Sequence, residues 1–538
     1  MIRRLLLCCR GEIALRFIRT CRLMGVETVA AYPAEDDGHP YVLAADQRFP
    51  IEAASAGSAM AEVLQVARLA RVDAIAPGYG PLAENAEFAA ACAEAGFIFV
   101  GPRPEAIRQS GDKLRAREAA CLAGVPVIPG GHPGDGLEQS LDLAREIGFP
   151  VLIKAVMGGG GRGIRVVEAP EAFAGALDEV RSEALSAFGC GDVYLERFLG
   201  TAIRHIEVQV LGDKHGNVLH LGDRGCSVQR RRQKLVEEAP APGLDAALRN
   251  ELRLAALAIA RQLGYDSAGT VEFLVAGDGR FYFIEMNARI QVEHPVTEAI
   301  TGIDLVEQMI HVAGGGRLSL RQDDIEFRGH AVEFRLCAED PRNQFFPAAG
   351  RVASYAVPEG EGVRLDSGVA SGVAQSPRFD SLCAKLIVHQ SSRERALARA
   401  SHALGEFRLF GFPTNVPFHH WLLEQPQFRD GSYDLSLLED FELPPERLHA
   451  VDRRAVFAAA LATALAGVAG AGRRARRGVG LETAQRSAAG GRRARLGGEW
   501  MNDRVDREGG VALRLHAALP QAGAAGSNCA AMARRVTG

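Results

Sequence analysis

Through the first hundred residues, short apolar runs alternate with longer stretches that are apolar on one side only. The run at 5–9 predicts a buried strand, 11–24 a helix bracketed by Gly11 and Gly25, and 27–32 the next strand. A helix at 58–70, a strand at 73–76, a helix at 84–95 and a strand at 97–100 continue the alternation. Strands apolar on both faces, joined by helices at this spacing, predict a parallel sheet built of βαβ units. Breaks follow at Gly101-Pro-Arg-Pro104 and at Pro129-Gly-Gly-His-Pro-Gly-Asp-Gly136, the second reading as an inter-domain turn. A small α/β unit comes next: helix 138–146, strand 150–155, a glycine loop, strand 164–168, helix 170–187 and strand 192–196. Residues 203–288 are strand-rich, with period-two alternation in Ile206-Glu-Val-Gln-Val-Leu211 and Phe281-Tyr-Phe-Ile-Glu285. Residues 330–440 add strands and a helical region that ends near Leu438.

A chain of 538 residues has room for several domains at about one per 150 residues. Its 47% hydrophobic and 24% charged residues exclude wholesale disorder, a collagen-like repeat and a polytopic membrane protein. A net charge of −4 gives the whole chain no bias toward nucleic acid or membrane. Ten cysteines without a CxxC spacing, two of them adjacent at Cys8-Cys9, read as reduced thiols of a cytoplasmic protein. The apolar run at the start is too short for a signal peptide before Arg10 and Glu12. Of 62 basic residues only five are lysine, at 113, 154, 214, 234 and 385, so each deserves a reason that arginine would not satisfy. From 451 onward, 15 Arg stand against 6 acidic residues. There the 18 uncharged residues from Ala455 to Gly472 are mostly Ala and Gly, reading as a packed or partner-binding helix sooner than a membrane span. The clusters Arg473-Arg-Ala-Arg-Arg477 and Arg492-Arg-Ala-Arg495 lack interleaved aromatics and read as a solvated tail.

Three stretches carry chemistry. In Lys154-Ala-Val-Met-Gly-Gly-Gly-Gly-Arg-Gly163, four glycines sit between two strands. They read either as a flap whose amides fold against phosphate, with Lys154 at its root, or as a flexible surface hairpin. No Gly-Lys-Ser/Thr follows, so it is not a P-loop. Asp278-Gly279 is a type I′ hairpin signal. With those two residues as the turn, Glu272 faces Glu285 on one side of the ladder, roughly 5 Å apart at Cβ. Two facing carboxylates are unfavourable unless a cation joins them, and Asn287 would be a third oxygen ligand for Mg²⁺ or Mn²⁺; the alternative is a solvated face. Asn287-Ala-Arg289-Ile-Gln-Val-Glu293-His-Pro295 then sets an arginine and a glutamate four apart, an anion fork and candidate base, or a plain salt bridge. The run Arg230-Arg-Arg-Gln-Lys234 is notable only for its lysine; His205, Arg335 and Cys226 are unremarkable alone.

Taken in order, these stretches resemble the biotin carboxylase family of ATP-grasp ligases. Arg10-Gly-Glu-Ile-Ala14, Pro77-Gly-Tyr-Gly80 with Glu84-Asn85, Gly111-Asp-Lys113, the glycine loop and Arg204-His-Ile-Glu-Val-Gln209 carry the resemblance. So do Cys226-Ser-Val-Gln-Arg-Arg with Gln233-Lys234, Glu285 to Pro295, Gly329 to Arg335 with Ala338-Glu-Asp340, and Phe379-Asp-Ser381. They run from about Leu5 to Leu438. The resemblance implies an ATP-grasp fold, mixed α/β and α+β. Its parts would be a Rossmann-like N-terminal domain at 1–112, a linker at 113–136, a lid at 137–197, a central domain at 198–328 and a strand-rich C-terminal domain at 329–440, before the tail at 441–538. It implies ATP between the 137–197 lid and the main C-terminal domain, on Lys113, Lys154, Gly160, Gly161, Glu196, the backbone of Arg197 and Leu199, His205, Gln229, Leu274, Glu272 and Glu285. Glu272, Glu285 and Asn287 would bind Mg²⁺ or Mn²⁺. Bicarbonate would sit near Arg289, Gln291, Val292 and Lys234. Glu293 would take its proton for attack on the γ-phosphorus to give carboxyphosphate, and Arg335 would stabilise the biotin enolate. Alternatives are another ATP-grasp carboxylate ligase, or a silent nucleotide-binding scaffold subunit.

Four positions depart from the family pattern: Cys9, Ala76, Met157 and Arg232 stand where Asn, His, Gly and His are usual. The biotin-bearing Ala-Met-Lys-Met of multidomain relatives has no counterpart, since Ala530-Ala-Met-Ala533 lacks lysine and none follows Lys385. Biotin is therefore expected on a separate carrier protein, with a separate carboxyltransferase subunit and, by family analogy, a homodimer. A helix at 451–468 would be a remnant of a docking region, with no strands apparent after it.

Overall fold

The computed structural model describes residues 2–52, 56–134, 136–156, 163–439, 441–443 and two short strands near 500. The chain divides into two compact units, Met1–Ala460 and Leu461–Gly538. In the first, β1 (Arg4–Leu7), β2 (Glu27–Pro33), β3 (Gln47–Ile51), β4 (Ala74–Ala76) and β5 (Ile98–Phe99) form a parallel sheet ordered β3-β2-β1-β4-β5. Leu5, Leu6 and Leu7 are fully buried because helices cover both faces of β1. The helix Gly11–Met24 buries Ile13, Ala14, Phe17, Ile18 and Cys21, the spacing of a single helical face. β3 carries no apolar periodicity and contains Pro50; it sits at the sheet edge, where a missing N–H costs no ladder bond.

The lid sheet is ordered β6-β9-β7-β8, from β6 (Gly130–Gly131), β7 (Val151–Ala155), β8 (Ile164–Val167) and β9 (Val193–Arg197). The helices Leu137–Ile147 and Phe173–Phe188 flank it around Val151, Ile153, Phe173, Leu177, Val180 and Leu195. The segment expected as linker differs from that expectation. It holds the helix Lys113–Leu122, capped by Asp112, and its Gly130-Gly131 is a strand of the lid sheet. A Cβ on Gly130 would run into the Leu195 carbonyl, so this glycine serves close strand approach instead of a turn. Met157, Gly160 and Gly161 of the glycine loop lie outside the described residues.

The largest sheet joins the central and C-terminal parts in eight antiparallel strands. Its strands are β10 (Ile203–Gly212), β11 (Val218–Arg230), β12 (Gln233–Ala239), β13 (Ala268–Ala276), β14 (Phe281–Asn287), β15 (His330–Cys337), β16 (Val363–Ser367) and β17 (Leu382–Gln390). Their order is β14-β13-β10-β11-β12-β15-β17-β16. The strand-rich reading of 203–288 missed the helix Ala246–Gln262, which Asp245 caps and which buries Leu252, Ala256 and Ile259. Half of its buried stripe is alanine, which weakens the periodic signal.

The anticipated helix at 451–468 lies outside the described residues. In the second unit a hairpin pairs Arg493–Leu496 with Glu499–Asn502, where no strand was apparent from sequence.

Candidate active site

The β13–β14 hairpin brings Glu272 opposite Glu285 and Thr270 opposite Asn287. Two departures from the simple hairpin combine to do so. The turn has three residues, closed by the Ala276 N–H donating to the Arg280 carbonyl at 2.8 Å, with Gly279 at φ 85°. That shifts the pairing by one, leaving Phe273 opposite Phe283, and an irregularity between Glu272 and Phe273 restores it. Burial pushes the Glu285 carboxyl above its ordinary range, and Glu272 adds to the push. The buried Glu272, the half-buried Glu285 and the Asn287 amide offer an oxygen-only set, which fits a hard divalent cation. Asn287 donates to Glu272 Oε1 at 2.9 Å, and its own oxygen lies 3.3 Å from the Arg289 guanidinium.

Lys234, near the start of β12, is where the site converges. Its ammonium lies 2.5 Å from Glu207 Oε2, 2.9 Å from Glu272 Oε1, 2.8 Å from Glu293 Oε1 and 3.2 Å from Gln291 Oε1. Burial opposes its charge, but the three carboxylates outweigh that and hold it protonated. The other oxygen of Glu293 takes Arg335 at 2.9 Å. Burial opposes ionisation of Glu293 too, yet Lys234 and Arg335 pull its carboxyl well below the usual range. Glu293 occupies the N-cap position of the helix His294–Thr301 without capping it, which leaves the carboxylate to the cations. Arg335 is locked from behind: Asn415 Nδ2 and His419 Nε2 both donate to its carbonyl at 2.8 Å, and its guanidinium also pairs with Glu237. Arg289 reaches Glu84 at 3.2 Å. Val292 contributes a carbonyl that Lys385 binds.

The residues expected at the nucleotide divide into groups. Lys113, Lys154, Glu196 and Glu285 line one enclosed cavity with Arg117, Tyr194, Phe283 and Ile284. Within it Lys154 pairs with Glu196, and burial lowers the Lys113 ammonium although Glu285 draws it back up. His205, Gln229 and Leu274 lie outside that lining, on β10, β11 and β13. His205 Nε2 is 2.7 Å from Glu272 Oε2, and its Nδ1 is 2.6 Å from the Gln229 amide, so His205 meets the carboxylate directly and Gln229 stands behind it. Leu274 sits opposite His205 in the ladder. The Arg197 N–H is taken by the Pro129 carbonyl at 2.8 Å, and Leu199 lies half-buried in the connection to β10.

Residues 1–107 match the model of the biotin carboxylase N-terminal domain, 112–321 the ATP-binding domain of the carbamoyl-phosphate synthase L chain, and 333–440 the biotin carboxylase C-terminal domain. Biotin carboxylase 1 of Bacillus subtilis is 46% identical over 448 residues, covering 82% of this chain and 99% of that one. The chain belongs to the biotin carboxylase family. Among solved structures, the Campylobacter jejuni biotin carboxylase complex with beta-gamma-ATP superposes with a TM-score of 0.79 at 43% identity, over 82% of this chain and 99% of that one. The biotin carboxylase domain dimer of Hydrogenobacter thermophilus 2-oxoglutarate carboxylase, in complex with MgADP, ADP and bicarbonate, gives 0.80 at 43%, over 82% and 98%.

Sequence reasoning overlooked several members of this biotin carboxylase site. Arg224 is fully buried under Lys234, its guanidinium shared among Glu207, Gln209, Thr270 and Thr297. Glu207 and Gln209 carry a signal in retrospect, as polar residues inside Ile206-Glu-Val-Gln-Val-Leu211; alternation gave them to solvent, while both are wholly buried. Glu237, Asn415 and His419 gave no local signal. Of the departures from the family pattern, Cys9 packs under Gly78, and Ala76 accepts the Cys8 N–H at 3.0 Å. Arg232 has φ 65° and lies exposed in the turn between β11 and β12. All nine cysteines among the described residues are free thiols.

Proposed function

We propose that this biotin carboxylase carries out the ATP- and bicarbonate-dependent carboxylation of biotin presented by a separate carrier protein, as a subunit of an acyl-CoA carboxylase. One observation carries the assignment of roles: a single carboxylate, Glu293, is shared between Lys234 and Arg335. A base and the cation meant for the biotin oxyanion thereby stand side by side. Bicarbonate, an anion, would enter among Lys234, Arg289 and Gln291 and draw Lys234 away from Glu293. Losing that cation and gaining a neighbouring anion both raise the basicity of Glu293, which would then take the bicarbonate proton. The freed bicarbonate oxygen attacks the γ-phosphorus, and ADP leaves with carboxyphosphate formed. Carboxyphosphate then releases CO₂, and the phosphate takes the biotin ureido proton while Arg335 holds the charge that develops on the ureido oxygen. CO₂ carboxylates that nitrogen. Lys113, Lys154 and His205 would contact the nucleotide, with Glu196, Arg197 and Leu199 at the adenine. Glu272, Glu285 and Asn287 would hold Mg²⁺ or Mn²⁺, which when bound neutralises charge on the nucleotide phosphates.

The test is phosphate release from Mg-ATP and bicarbonate by the purified chain, with and without free biotin. Biotin-stimulated release that Glu293→Gln abolishes is the expected result. ATP binding without a biotin response would turn the reading toward a scaffold subunit. An assembly of two copies is expected alongside and is read by sedimentation.

A further inference from the structure

Of the five lysines, 113, 154 and 234 belong to the site, and Lys214 ties a loop to the Ala313 carbonyl at 2.8 Å. Lys385 is left. It stands on β17 opposite Arg335 of β15 and Asp366 of β16, and its side chain is 0% exposed. Its ammonium lies 2.8 Å from the Val292 carbonyl oxygen and 3.1 Å from Glu12 Oε2. The other oxygen of Glu12 accepts the Tyr79 hydroxyl at 2.5 Å. Glu333, on β15, is buried with neither carboxylate oxygen hydrogen-bonded; burial pushes its pKa up while Lys385 pulls it down.

A wholly enclosed ammonium costs several kcal/mol unless its partners compensate. Here the compensation runs to the peptide that joins Val292 to Glu293. Fixing that carbonyl fixes the plane from which the Glu293 side chain departs, and a misplacement of about 1 Å at a reacting group costs on the order of 100-fold in rate. The far partner, Glu12, sits in the first helix, so the contact also ties the N-terminal sheet region to the bicarbonate segment. A planar, longer guanidinium would not fit the same enclosed point, which accounts for lysine in a chain that uses arginine almost everywhere else.

We propose that Lys385 is a positioning residue for the carboxylation reaction, clamping the Val292–Glu293 peptide so that the Glu293 carboxylate meets bicarbonate, with Glu12 holding the clamp. The inference rests on the biotin carboxylase reading. Lys385→Met is expected to lower kcat/KM for bicarbonate by about 10- to 100-fold, with KM for ATP unchanged within about twofold. Lys385→Arg should not restore it. Glu12→Gln, which keeps the ammonium and its carbonyl bond, should lower the same parameter less, and adding it to Lys385→Met should cost little more. A purely structural lysine would lower melting temperature and active fraction while leaving the bicarbonate and ATP constants of the folded protein alike. That pattern, or bicarbonate constants within about twofold of wild type in folded Lys385→Met, overturns the inference. Should Lys385→Met fail to fold, an unchanged bicarbonate constant in Glu12→Gln overturns it instead. A wild-type chain with no bicarbonate-dependent turnover overturns the functional reading and this inference with it.

Discussion

At the scale of single residues, the centre of the site is a set of buried charges shared among several partners. Arg335 illustrates the consequence. Arg335→Leu should cost biotin carboxylation about 100- to 1000-fold, the usual loss for one oxyanion donor, while bicarbonate-dependent ATP cleavage falls far less; separate assays of phosphate and carboxybiotin check this. Glu238 gives a pH prediction. It binds His330 at 2.7 Å, Arg393 at 2.7 and 2.8 Å and Tyr433 at 2.9 Å. Burial pushes its carboxyl up, but His330 and Arg393 prevail and bring it from 4.5 down to about 2. A folded pKa below the unfolded one stabilises the protein above 4.5, and that stability is lost as pH falls toward 2. Glu238→Gln should therefore cost about 3 kcal/mol at neutral pH, with the gap to wild type closing through that acidic window in denaturation curves. The residues that sequence made legible here are those whose chemistry shows in local spacing. Glu272, Glu285 and Asn287 declare themselves through a turn signal and an alternation. Lys234 is visible only because lysine is rare; Glu237 stands on the same strand without a local signal, and His419 reaches the site from a helix far away in sequence.

At the scale of elements, the predicted facing of the two carboxylates stands although its premise, a two-residue turn, does not. A longer turn and a bulge displace the register in opposite senses. Gly279, at φ 85°, is where the turn needs a left-handed backbone. Gly279→Ala should lose about 1 kcal/mol of stability, seen as a small drop in melting temperature, with KM for Mg-ATP unchanged because the bulge lies between the turn and the carboxylates. Element legibility followed the strength of the period. The helix Gly11–Met24 and the paired strands β7 and β8 were readable, whereas the helix Ala246–Gln262 carries a stripe diluted by alanine, β3 is short and broken by proline, and β6 is two glycines.

At the scale of the whole molecule, the family-matched region closes within the first compact unit, and the chain ended at Ala460 is expected to keep wild-type kcat and KM for bicarbonate and ATP in the phosphate-release assay. The order of the motifs follows the order of the three family matches; what spacing could not supply was the single sheet that runs from β14 to β16 and gathers strands from residues 203–390. That sheet places Lys234 amid three carboxylates drawn from separate parts of the chain. With the roles proposed above, an enzyme so arranged would idle quietly. With bicarbonate scarce, a water molecule beside ATP would find no free base, because the Glu293 carboxylate is held by two cations. The nucleotide would be spared futile hydrolysis until the anion that it is meant to activate arrived and freed that base.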